Sequence, residues 1–119
     1  MVRDRVLTER LSALLAELTL LTANGSLHWE RQLHSAHRYA RWNDNVLILG
    51  PTAPLEDRKT PRYLFLTPFN APSSIEITSD DVNLTVPLLA LIDEVETATA
   101  GQEPRDPFAF TQEALSSLG

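Results

Sequence analysis

The chain contains no cysteine. That excludes disulfides, thiolate zinc centres, iron–sulfur ligation and a cysteine nucleophile, and it agrees with a reducing, cytoplasmic setting, the expected location. Glycine is scarce as well, four in 119 residues and none near another, so neither a P-loop nor a G-x-G-x-x-G turn is present. No serine sits in a G-x-S-x-G elbow. No run reaches the ~18 apolar residues of a membrane span. The apolar N-terminal stretch is broken by Glu9, Arg10 and Glu17 and lacks a signal-peptide cleavage pattern, so it reads as folded structure. Positive charge is the last shortage. Ten Lys and Arg stand against sixteen Asp and Glu, a net charge of −6 that disfavours nonspecific nucleic-acid binding. Residues 1–41 carry six Arg and four acids, and residues 42–119 carry four bases and twelve acids. Such asymmetry suits self-complementary association, and it suits equally a plain solvated surface.

What is present describes one folded domain, residues 1–119. The hydrophobic content of 43% and charged content of 22% are those of a globular chain. A domain of this length buries roughly 65% of its unfolded surface and needs no metal or disulfide staple. Leu7, Leu11, Leu14, Leu18 and Leu21, widened by Leu15, recur at steps of four and three and predict a helix over 4–23. Asn24-Gly25 stops it. The run is too short for a coiled coil, so it reads as a helix packed on a sheet. From residue 26 the period becomes two. Leu27, Trp29 and Leu33 alternate with His28, Glu30, Gln32 and His34, as in a half-buried strand. Arg38–Trp42 follows, then an Asn43-Asp44 tight turn, then Val46–Leu49. Residues 51–61, with three prolines and four charges, read as a loop. Arg62–Thr67 is the next strand, residues 68–74 a second loop, and Ser74–Thr78 a one-face strand at an edge.

Asp80-Asp81 precedes a helix predicted over 85–100, with Leu84, Leu88, Leu91, Val95 and Ala98 on its apolar stripe, Leu89 and Ile92 beside it, and Pro87 tolerated in the first turn. Asp106-Pro107 resembles an N-cap and N1 pair, opening a short helix over 107–118 that would present Phe108, Leu115 and Leu118. The fold class is α+β: an N-terminal helix, an antiparallel meander of four to five strands within 26–78, then one long and one short C-terminal helix. Strands 46–49 and 63–66 are apolar on both faces. Such strands need cover on both sides. The two long helices cover one face, and the last is short for the other. A second copy of the chain is the expected cover, hence a homodimer.

Candidate chemistry is sparse. His28, His34 and His37 with Glu30 contain the donors of a metal site, but helical His-x-x-x-His spacing and zincin motifs are missing. Histidines near a polar turn are more often only solvated. Arg31, Arg38 and Arg41 interleave with Trp29, Tyr39 and Trp42, the ingredients of single-strand nucleic-acid binding. The acidic balance and the core-facing position of Trp29 argue against that reading. Trp29, Tyr39, Arg41 and Trp42 serve equally as a protein interface, where Trp, Tyr and Arg dominate binding. The carboxylate pairs fall in a loop, Glu56-Asp57, and at a helix start, Asp80-Asp81, where capping explains them. No cofactor and no catalytic residue is indicated.

The segment Leu21-Thr22-x-x-Gly25-x-Leu27-x-Trp29 resembles the opening of small uncharacterised bacterial proteins with a leucine-rich helix, a glycine turn and a Trp-bearing strand, over about a quarter of the chain. It implies no activity. In size, acidity and a helix-flanked antiparallel sheet, the chain is similar in outline to secretion-chaperone-like domains, which are dimeric binders of extended protein segments. It departs from them in having no helix that interrupts the strands. The expected function is a non-enzymatic, dimeric interaction or chaperone-like adaptor module, with a partner at the Ile75–Thr78 edge or on the open sheet face. The alternatives are a small-ligand-binding regulator with a pocket lined by Trp29, Tyr39 and Arg41, and a metal-dependent enzyme at His28, Glu30, His34 and His37.

Overall fold

The computed structural model describes residues 5–51, 61–68 and 74–116. In chain order the elements are α1 (Arg5–Ala23), β1 (Trp29–Arg31), β2 (Arg38–Trp42), β3 (Asn45–Gly50), β4 (Tyr63–Pro68), β5 (Ile75–Thr78), α2 (Thr85–Thr99) and α3 (Pro107–Ser116). The strands form one antiparallel sheet in the order β1-β2-β3-β4-β5. The fold is therefore an α+β meander with a helix before it and two after. No helix among the described residues is long and apolar enough to cross a membrane.

One face of the sheet is the core. Cross-strand register aligns Trp29, Ala40, Leu47 and Leu66 in one row and Arg38, Leu49, Leu64 and Ile77 in the next. The apolar members are buried against Leu11, Leu15 and Leu18 of α1 and Leu88, Leu91, Ile92 and Val95 of α2. Two polar groups in this interior are held by threonines. Thr22 of α1 donates its hydroxyl to the Leu18 carbonyl and accepts the Trp29 indole N–H at 2.9 Å. Thr99 of α2 donates to the Val95 carbonyl and accepts Nε of Arg38 at 3.0 Å. Burial drives the Arg38 guanidinium below its ordinary value; nearby Arg31 acts in the same direction and Glu96 against it.

The structure moves several sequence expectations. The α1 stripe is Leu11, Leu15, Leu18 and Thr22, with Leu14 and Leu21 half-buried and Leu7 exposed. On α2 the last buried position is Thr99; Ala98 is exposed, because Thr99 turns inward to meet Arg38. Asp80-Asp81 does not cap α2. The helix begins at Thr85 with Leu84 as an N-cap that forms no side-chain hydrogen bond, while Asp81 Oδ1 accepts the Asn83 N–H and closes the preceding turn. In α3 the buried aromatic is Phe110, and Phe108 and Leu115 face outward. Leu118, Glu56 and Asp57 lie outside the described residues.

The remaining turn and cap expectations hold. Asn43 and Asp44 adopt φ of 47° and 61°, the pair of positive values a tight hairpin needs. Asp106 Oδ1 accepts the Phe108 N–H at 2.9 Å, with Pro107 at the first helical position. Gly25, at φ 80°, ends α1 while the Ser26 N–H reaches back to the Leu21 carbonyl.

Strand β1 is shorter than its alternation predicts. Gln32 leaves the β2 ladder to bridge Arg105 in parallel, His34 turns the chain at φ 60°, and Leu33 ends 46% exposed. The outer edge of β1 is thereby sealed. The Gln102 side-chain amide acts as a peptide group, accepting the Arg31 N–H at 2.6 Å and donating to the Trp29 carbonyl at 3.0 Å. The Arg105 backbone continues the seal, donating to Arg31 and accepting from Leu33.

Candidate functional site

Side chains alternate across the sheet, so the residues between the core rows face outward. They are Glu30 on β1, Tyr39 and Arg41 on β2, Val46 and Ile48 on β3, Tyr63, Phe65 and Thr67 on β4, and Glu76 on β5. Helix α3 crosses the β1–β2 end of this face, with the Phe110 ring 5.8 Å from that of Tyr39. Between helix and strands lies a cleft of about 260 Å³. Its walls are Glu30, Tyr39 and Arg41 from the sheet and Arg105, Phe110 and Glu113 from the α3 side, with Ser26 and His28 on the rim.

Four charges run through the cleft in alternating sign. Arg105 Nη1 donates to Glu30 Oε2 at 2.7 Å and to Glu113 Oε2 at 3.2 Å, and its Nη2 donates to Glu113 Oε1 at 2.5 Å. Arg41 Nη1 donates to the Glu113 carbonyl at 3.0 Å, and its Nη2 lies 3.6 Å from Glu113 Oε2. The hydrogen bonds to Glu113, then the charge of Glu30, hold the Arg105 guanidinium above even its ordinary value. The same hydrogen bonds hold the Glu113 carboxyl below its ordinary value, against an opposing effect of burial. Glu30 is 4% exposed, and its Oε1 is buried with no hydrogen-bond partner among the described residues.

The sequence-predicted residues divide. Tyr39 and Arg41 meet His28 and Glu30 at the cleft. Trp29 is buried on the opposite face, and Trp42, half-buried, packs against the same core, so neither lines the cleft. His28 and His34 are exposed. His37 sits at the far end of β2, where its Nε2 is 2.6 Å from the Tyr63 hydroxyl. Gly50 permits this contact, since a Cβ there would fall 2.9 Å from the His37 ring. Burial lowers the His37 pKa from its ordinary value. Among the described residues no three His, Asp or Glu are grouped to hold a metal. Glu30 and His37, two of the four residues of the metal-enzyme alternative, are engaged by Arg105 and Tyr63.

Sequence reasoning missed Arg105, Phe110 and Glu113. One signal was available. Arg105 is the only Lys or Arg after Arg62, a lone cation in an acidic half. The alternation that placed Glu30 on the wet face had its direction right, but the partner that covers it comes from the segment before α3. Compared with known proteins, the chain matches no family model, no curated protein and no solved structure. Glu30, buried, and Glu113, partly exposed, share the Arg105 guanidinium.

Proposed function

We propose that the protein is a non-enzymatic association module that pairs with a second copy of itself across the outer face of its sheet. The observation that carries this reading is that α3 is apolar on two opposite sides. Phe110 faces its own sheet, while Phe108 and Leu115, seven positions apart and on one face, are 67% and 57% exposed. A helix with two apolar sides expects two partners. Beyond the β1–β2 end of the sheet, Val46, Ile48, Tyr63 and Phe65 are only half-buried.

A two-fold arrangement satisfies both needs at once. The outward side of each α3 lies on the β3–β4 face of the other protomer, a self-complementary contact. Solution mass by light scattering tests it. Wild type is expected at twice the 13.3 kDa chain mass, and Phe108→Asp at the chain mass with an unchanged circular dichroism spectrum. A wild-type monomer at high protein concentration overturns the reading.

A further inference from the structure

We propose that α3 is a hinged flap that closes over the β1–β2 end of the sheet and opens about Asp106, so that the surface around Tyr39 and Arg41 alternates between covered and bare. The motion needs no second copy of the chain. Three observations carry it.

The first is how little of α3 is held. Among its described side chains only Phe110 is buried, whereas α2 buries Leu88, Leu91, Ile92, Val95 and Thr99. A cleft of about 260 Å³ remains between α3 and the strands beneath it. A helix of ten residues is too short to persist alone in water, so its stability is set by its docking.

The second is where the preceding chain is fixed. The Gln102 side-chain amide bonds to Arg31 and Trp29, and the Arg105 backbone donates to Arg31 and accepts from Leu33. The segment is thus pinned to β1 as far as Arg105. At Asp106 the hydrogen bonds turn toward the helix: its Oδ1 accepts the Phe108 N–H and its carbonyl the Ala109 N–H. A pinned strip meets a self-contained helix at one residue, the kind of position at which a hinge absorbs a change in φ and ψ.

The third is the catch. Glu30, buried on β1, accepts Arg105 Nη1 at 2.7 Å and keeps that guanidinium in place without help from α3. Arg105 then receives both carboxylate oxygens of Glu113, and Arg41 donates to the Glu113 carbonyl. The side chains of Arg105, Arg41 and Glu113 are all partly exposed. Ion pairs in such a setting are weak and screened by salt. Glu30 is therefore a positioning residue for a catch that Glu113 enters and leaves.

Hydrogen exchange of single amides, read by NMR on Phe108→Asp, tests the flap. That change lies on the exposed side of α3 and removes any shelter a second copy would lend. The amides of residues 111–115 are expected to be protected, yet to exchange about a hundredfold faster than those of Leu91, Ile92 and Val95. Adding Phe110→Ala should erase the α3 protection, and adding Glu113→Gln should lower it about fivefold, the scale of one exposed ion pair. Both should leave the Leu91 and Arg105 amides unchanged. An α3 that exchanges as slowly as α2, or one with no protection at all, overturns the proposal. So does Phe110→Ala speeding Leu91 as much as α3, which would make the helix part of the core. An Arg105 amide that follows α3, or an α3 indifferent to Glu113→Gln, overturns it as well.

Discussion

On the inner face of the sheet the apolar rows from β1 to β4 are buried against α1 and α2, with Ile75 of β5 exposed at the edge, whereas on the outer face the described helix cover stops at β2. The inner face is built from leucines, and its two polar intruders, Trp29 Nε1 and Arg38 Nε, each find a helix threonine. The outer face combines half-buried apolar residues with a linked set of charges, one of whose buried atoms is left over. The difference separates the two tasks of the chain. One face secures the fold, and the other keeps unused apolar and polar contacts that suit binding.

Truncation should separate the faces most sharply. Trp29→Ala, which empties the inner face beside β1, is expected to cost about 3–5 kcal/mol by urea denaturation. Ile48→Ala, in the half-buried outer row, should cost clearly less. A smaller effect tests the threonine clamps. Thr99→Val removes the acceptor of Arg38 and should cost about 1–3 kcal/mol, with Thr22→Val similar for Trp29.

On the outer face the expected signature is pH dependence. His37 titrates below its ordinary 6.5 in the folded protein. As pH falls past that value the unfolded chain takes up the proton first. Stability is therefore complete above it and declines as pH drops toward the folded-state pKa. Thermal unfolding at stepped pH should show the decline, and His37→Gln should flatten it. The smallest change in stability, within about 0.5 kcal/mol, is expected for Phe108→Asp. Its effect should appear instead as a halved solution mass. If Phe108→Asp destabilised the protomer as Trp29→Ala does, the outward side of α3 would belong to the fold and not to an interface.

Much of the fold could be read residue by residue. The leucine steps located α1 and α2, Asn43-Asp44 located the β2–β3 turn, and Asp106-Pro107 located the start of α3. The site was legible only in part. Tyr39, Arg41, His28 and Glu30 were singled out, but Trp29 and Trp42 were grouped with them although strand alternation sends both to the other face. Phe108 and Phe110 are two positions apart on one short helix, and nothing local distinguishes which side meets the sheet.

The amino-acid order alone determined the order of the elements, the Asn43-Asp44 turn, the Asp106-Pro107 cap and the two apolar sides of β3 and β4, because each depends on backbone preferences and periodicities spanning a few residues. Only the tertiary structure decided that Glu30 is buried, that Gln102 and Arg105 seal β1, and that Phe110 is the inward ring of α3. Those facts are contacts between segments far apart in the chain, 75 residues in the case of Glu30 and Arg105. Their energies come from burial and charge pairing at close range, which no local pattern encodes.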